Sequence, residues 1–346
     1  MTALPPPTLR LDLDAEALAH NWRALDRLSG GARAGAAVKA DGYGLGAGKV
    51  VPVLAEAGAR DFFVAHWSEA PAVIAHVPPE QAAVLHGPVT DADCAFARET
   101  GVRPVLNSLA QVARWQASGG GRCHLMVDTG INRLGLSMSE IGDPALAGLE
   151  VDILLSHLAS ADEDKPQNAT QLARFREACA AIPSDRRSLA NSAGIALGSD
   201  YAFDLTRPGL ALYGGVPRGE LAGVIRQVAY PHAAILQVRD IEAGEGVGYN
   251  AAFISPSPMR VGLISLGYAD GFLRAWSGKG AFRFEGAELP LLGLVSMDMV
   301  VIDLTQVPFL REGDWVEVPY DLPAASALTG LSQYELLTVL GRRFRR

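Results

Sequence analysis

A lysine closes the apolar run Ala34 to Val38, and the loop after it, Lys39-Ala40-Asp41-Gly42-Tyr43-Gly44-Leu45-Gly46, carries three glycines. A buried lysine amine is costly to keep charged, so its pKa falls and it becomes nucleophilic. That is the condition for Schiff-base chemistry with an aldehyde cofactor. Tyr43, four residues on, is close enough to hydrogen-bond an anion beside the amine. The competing reading of Lys39 is a side chain snorkelling out of a strand end. Other residues able to do chemistry recur in the same way at the ends of apolar runs. They are His66, His86, Asn107, Asp128, His157, Ser192 and Arg207.

Those run ends imply the elements that must position them. The runs cover residues 34–39, 61–66, 81–86, 102–107, 123–128, 150–157, 187–192 and 203–207. Their spacing of about 24 residues suits successive βα units. Eight such units predict a closed (β/α)8 barrel of the TIM type, whose active site gathers at the C-terminal ends of its strands. Ser108 to Ser118 and Asn168 to Ile182 have apolar residues at helical spacing and open with capping residues. After residue 232 the pattern changes to short alternating runs: 233–238, 261–266, 291–295, 300–304 and 315–318. The chain therefore reads as an α/β barrel domain over 1–232 and a mainly β domain over 233–346, closed by a helix from Leu331 to Leu340.

Composition narrows the function classes. The chain has 346 residues, 49% hydrophobic, with a net charge of −8 and no basic block, which argues against nucleic acid as a partner. Cys94, Cys123 and Cys179 have no metal-ligand spacing and read as small buried apolar groups in a reducing compartment. No apolar run approaches the ~20 residues of a membrane span, and the N-terminus shows no secretory signal pattern. The expectation is a cytoplasmic protein with no membrane partner and no metal.

Eight segments, in order, resemble the alanine racemases, enzymes of pyridoxal-phosphate fold-type III. The lysine loop is the first. Asp128-Thr129-Gly130-Ile131-Asn132-Arg133-Leu134-Gly135, Ser156-His157-Leu158-Ala159-Ser160-Ala161-Asp162, Asn191-Ser192-Ala193-Gly194 and Arg207-Pro208-Gly209-Leu210-Ala211-Leu212-Tyr213-Gly214 follow. Val247-Gly248-Tyr249-Asn250, Gly267-Tyr268-Ala269-Asp270-Gly271 and Val295-Ser296-Met297-Asp298 complete the set. The resemblance implies pyridoxal 5′-phosphate on Lys39. Its phosphate would be held by Tyr43, Ser192 and the backbone at Gly209 and Leu210, and its pyridine nitrogen would face Arg207. An arginine there donates a hydrogen bond and does not protonate the ring, which favours racemisation over transamination. Lys39 and Tyr249 would serve opposite faces of the substrate, with His157 and Arg207 assisting the tyrosine through a hydrogen-bond chain. Arg133 and the backbone of Met297 would bind the substrate carboxylate, and Tyr268 would narrow access. Tyr249 and Met297 would come from the second subunit of a homodimer.

Three positions depart from the family. Met126 stands where many members carry a carbamylated lysine, Leu294 replaces a channel arginine, and Arg342 stands where a phosphate-contacting tyrosine is expected. The expected activity is interconversion of L- and D-alanine, for cell-wall precursors or alanine breakdown. The alternatives are a serine or broader-specificity racemase and a non-catalytic pyridoxal-phosphate-binding protein. The latter matches only the barrel and leaves the region after residue 232 without a role.

Overall fold

Each of the eight apolar runs becomes a strand of one parallel ring in this computed structural model, which describes residues 5–341, 343 and 344. Ala36–Ala37, Phe62–Val64, Ala82–Val84, Arg103–Leu106, Cys123–Met126, Val151–Leu155 and Arg186–Ser188 are neighbours in that order. The last strand, Leu205–Thr206, pairs in parallel with Arg33–Ala34. On its other side the Asp204 and Arg207 amides donate to the carbonyls of Arg187 (3.1 Å) and Ala190 (2.8 Å), which closes the ring.

Strand alternation sorts the side chains. Phe63, Ala83, Val105, Met126, Ile153, Leu155 and Leu205 fill the barrel interior. Their sequence neighbours Leu106, Leu125 and Leu154 face the other way, in a layer with Trp115 and Phe175. Phe175 is fully buried, a burial that contributes roughly 1.5–3 kcal/mol. Helix Leu109–Ala117 starts as expected, with Ser108 Oγ accepting from the Gln111 amide at 3.2 Å. Helix Pro166–Ala181 starts two residues earlier than expected. Proline has no amide to leave unsatisfied in the first turn. Asn168 lies inside that turn, and its side chain donates to the Ser160 and Glu163 carbonyls.

The N-terminal ends of the strands carry charge of a different kind. Arg186 holds Asp152 through two bonds (3.0 and 3.1 Å) and Asp61 through Nη1 (3.0 Å), while His124 lies 4.0 Å from Asp152. A charge cluster at this end of a barrel, away from the mouth where the active site gathers, serves stability rather than catalysis. Burial pushes the Asp152 carboxyl up, but the Arg186 hydrogen bonds and the charges of His124 and Arg186 leave it below its ordinary value. A depressed folded-state pKa stabilises the fold above the unfolded value of about 4, and that contribution is lost as pH falls through the lower folded value. Arg186→Met is expected to cost about 2–3 kcal/mol. The figure is below that for a fully buried pair because the Arg186 side chain is 35% exposed. Denaturant titration checks this at pH 7 and again below pH 4, where the difference between variant and parent should shrink.

The second unit differs from expectation at its start. Compact units run from Ala15 to Arg226 and from Gln227 onward, with the residues up to Asp14 joined to the latter. The expected boundary at 232 falls inside the strand Ala229–Ile241. Strand Leu9–Leu13, with Leu9 and Leu11 buried and Arg10 and Asp12 exposed, pairs antiparallel with it from Leu9↔Ala233 to Leu13↔Ala229. Met259–Ile264, Val300–Asp303, Ala287–Leu292, Ala281–Phe284 and Trp315–Glu317 follow in the sheet, and the last pairs back onto Ala229–Ile241. Closure leaves few exposed edges. Two helices stand where one was expected. Leu322–Thr329 is capped by Asp321 and ends at Gly330 (φ 77°), and Gln333–Thr338 is capped by Ser332. No helix among the described residues is long and apolar enough to cross a membrane.

Candidate active site

The lysine loop opens with an unusual backbone. Ala40 (φ 53°, ψ 47°), Asp41 (φ 55°, ψ 52°) and Gly42 (φ 64°, ψ 45°) form a left-handed turn that continues into Tyr43 (φ 55°). Each non-glycine residue there costs about 1–2 kcal/mol. The turn persists because its polar groups are satisfied. The Gly42 amide donates to Val38 O (2.9 Å), Gly44 to Ala40 O (2.8 Å), and Ala47 to Asp41 Oδ1 (2.8 Å). The Ala40 amide donates to Glu69 Oε1 at 2.5 Å. Burial lowers the Lys39 pKa, the Arg133 and Arg207 charges lower it further, and Glu69 opposes them. An amine so placed is more readily neutral and nucleophilic.

Beyond the turn, the Tyr43 ring is buried and stacks on Tyr213 with centroids 4.7 Å apart, and the Tyr213 hydroxyl donates to Ala37 O (2.9 Å). Tyr43 Oη lies against Gly209, where an added Cβ would sit 2.1 Å from it. Ser192 Oγ accepts from the Gly209 (2.9 Å) and Ala211 (3.2 Å) amides. Both acceptor positions of that hydroxyl are thus filled, so its own hydrogen is available to an anion. The expected amide contact at Gly209 is engaged by Ser192, and the Leu210 carbonyl accepts from the Gly214 and Gly215 amides. Arg342 lies outside the described residues.

Arg207 is buried, with Nη1 donating to Ser188 Oγ and Nη2 to Ser156 O, both at 2.5 Å. Among the described residues no carboxylate pairs with it, and burial alone pulls its pKa down to about 10. The Phe63 ring lies 6.0 Å away. A buried cation without a counter-charge is strongly destabilising, so a site that retains one is built to receive an acceptor. The amine, the hydroxyl cradle opened by Gly209 and the unneutralised guanidinium fit the three parts of pyridoxal phosphate: aldehyde, phosphate and pyridine nitrogen.

His157 is driven to about 3 by burial and by the neighbouring Arg207, Arg133 and Lys39 charges, so it is neutral at pH 7. No hydrogen bond joins its ring to Arg207 among the described residues; the donors of Arg207 go to Ser188 and to the carbonyl beside His157. Arg133 is exposed on a loop whose amides at Gly130 (2.8 Å), Ile131 (2.9 Å) and Arg133 (2.7 Å) converge on the Asp128 carboxylate. Its charge acts on Lys39, His86 and His157, which places it at the same strand ends. Met126 is buried in the apolar barrel interior. His66 and His86 contact each other edge to face at 4.3 Å.

In the second unit, Tyr249, Met297 and Met299 line one open concavity of ≈ 410 Å³. Tyr249 is 64% exposed and Met297 53%. Tyr268 and Ala269 amides donate to the Ser296 and Met297 carbonyls, both at 3.0 Å, so the Tyr268 and Met297 segments are bonded together. The Arg274 guanidinium covers the Tyr268 ring at 5.9 Å. Sequence reasoning missed Ser188 and Glu69, whose bonds run to a distant side chain and to backbone amides. Ser188 could have been found as a polar residue four positions before Ser192 on the same inward run.

The alanine racemase N-terminal domain family matches residues 13–217, and the C-terminal domain family matches 228–346. An alanine racemase of Methylobacterium nodulans is 43% identical, over 100% of this chain and 97% of that protein. The crystal structure of alanine racemase from Bartonella henselae with covalently bound pyridoxal phosphate superposes with a TM-score of 0.90 at 38% identity, covering 99% of each chain. The biosynthetic alanine racemase of Pseudomonas aeruginosa gives 0.88 at 31% identity, again over 99% of each. With both domain families matched in order along nearly its whole length, the chain belongs to the alanine racemase family.

Proposed function

We propose that this chain interconverts L- and D-alanine as a cytoplasmic homodimer, with pyridoxal phosphate carried on Lys39, and that it supplies D-alanine for peptidoglycan. The observation that carries the reading is Arg207, a buried guanidinium with no carboxylate partner among the described residues, whose charge acts on Lys39 and whose following Gly209 meets Ser192 and Tyr43. When bound, the cofactor supplies an aldehyde and a conjugated ring that draws electron density from the substrate Cα. Tyr43 and Ser192 bind and orient the phosphate. Arg207 would donate to the ring nitrogen without protonating it, which would keep the electron withdrawal modest and favour return of the proton to Cα. Lys39, with its lowered pKa, takes or gives that proton on one face. Tyr249 of the partner subunit serves the other. Its exposure together with Met297 and Met299 in one concavity suits a surface that a second barrel covers. Arg133 and the backbone of Met297 hold the substrate carboxylate, and Tyr268 limits access. His157, neutral at pH 7, hydrogen-bonds the tyrosine directly, with no link through Arg207 among the described residues. Chiral analysis of L-alanine and L-serine incubated with the loaded protein tests the reading. Conversion of L-alanine toward an equal mixture supports it, whereas turnover of L-serine in preference to L-alanine would redirect it to the serine racemases.

Met126 leads to a separate expectation. A thioether carries no charge and forms no carbamate, so activity should not change between carbon-dioxide-free and bicarbonate-containing buffers. The Arg133 loop is fixed instead by the Asp128 carboxylate. Asp128→Ala is therefore expected to raise KM for alanine about tenfold with a smaller effect on kcat. Steady-state kinetics in the two buffers check both statements.

A further inference from the structure

We propose that Glu69 is a positioning residue whose carboxylate ties the left-handed turn after Lys39 to the neighbouring strand end and so aims the lysine amine. The inference rests on the reading of Lys39 as the cofactor lysine. Glu69 Oε1 accepts from the Ala40 amide at 2.5 Å, and Oε2 accepts from the Ala65 and His66 amides at 2.8 and 3.0 Å. The donors belong to two strand ends. Ala40 follows Ala36–Ala37, and Ala65 and His66 follow Phe62–Val64, the parallel neighbour paired Ala36↔Phe62 and Ala37↔Phe63.

A plain cap of the short turn Trp67–Glu69 accounts for the Ala65 and His66 bonds. It does not account for the bond to Ala40, 29 residues away in the chain. That amide is the first of the left-handed turn, and it directly follows the lysine. The base of the brace is rigid. Trp67 Nε1 donates to Gly87 O at 2.9 Å, and the following helix Ala70–Ile74 buries Ala70 and Val73. Removing the bond to Ala40 leaves the strained turn beside the amine without its tie to the neighbouring strand end, with Ala40 and Asp41 exposed.

Only a carboxylate accepts on both arms. Glutamine has one acceptor oxygen, and its amide nitrogen would face an N–H donor on the other arm. Glu69→Gln therefore breaks one arm while keeping size and shape. The effect on the reaction should separate from substrate binding, because Arg133 and its Asp128 anchor belong to another loop.

Hydrogen–deuterium exchange of the full chain, with and without cofactor, reads the brace directly. In the parent, the Ala40 amide should be protected on the order of 100-fold relative to a free peptide. In Glu69→Gln that protection should fall about tenfold, and the dissociation constant for pyridoxal phosphate should rise about tenfold. Turnover should fall about tenfold while KM for alanine stays within about twofold. Glu69→Asp, which keeps the charge but shortens the reach, should lie between. Unchanged exchange at Ala40 and unchanged cofactor affinity in Glu69→Gln would overturn the proposal. If the variant does not fold, an Ala40 amide that exchanges at the free-peptide rate in the parent overturns it equally. A parent that binds no pyridoxal phosphate would remove the cofactor reading, and the exchange comparison would still decide the brace.

Discussion

Lys39→Ala should abolish racemisation, with a loss of at least about 10⁴-fold, because one substitution removes both the proposed cofactor attachment and the proposed proton carrier of one face. The residue is half-buried and its amine has no ion-pair partner among the described residues, so the fold should survive the change. Borohydride treatment of the loaded parent followed by peptide mapping should place the pyridoxyl mass on Lys39. A mass on Lys49, or retained turnover in the alanine variant, would contradict the assignment. The physical basis is the lowered pKa of an amine held between burial and two arginines, at the end of a strand that a strained turn terminates.

The second large effect is expected at Tyr249. Tyr249→Phe should lower interconversion by about 10²–10⁴-fold, the range for loss of one acid–base group. An exposed ring that loses only its hydroxyl should change stability by less than about 0.5 kcal/mol. The two directions should be impaired differently. The enantiomer whose Cα hydrogen faces Lys39 should still exchange that hydrogen with solvent, while its mirror image should not. Deuterium incorporation from L-alanine and from D-alanine measures this separately. Equal and undiminished exchange from both would remove Tyr249 from the reaction.

Much of the barrel was legible because its chemistry-bearing residues close its apolar runs. Lys39, Asp128, His157, Ser192 and Arg207 each mark the C-terminal end of a strand or the residues just beyond it, and a parallel barrel brings all those ends to one mouth. What stayed hidden depends on contacts between distant segments. Strand Leu9–Leu13 belongs with Ala229–Ile241, and no local pattern links partners more than 200 residues apart. Glu69 works by capturing backbone amides, which leave no trace in residue type. The role of Ser188 emerges only from packing, where its hydroxyl accepts from Arg207 and donates to Leu205 O. The isolation of Arg207 from carboxylates among the described residues is also a property of packing, since Asp204 lies only three residues away in sequence but accepts from the Arg187 amide.

The central claim is that a lysine from one subunit and a tyrosine from the other form one site. Mixing the two inactive variants, Lys39→Ala and Tyr249→Phe, tests it most directly. After subunit exchange at equal amounts, half the dimers should be mixed and each should hold one intact site, so activity should return to about a quarter of the parent value. Exchange itself is followed by mass spectrometry of the assembled species. If mixed dimers form and alanine is still not racemised, the shared site is contradicted.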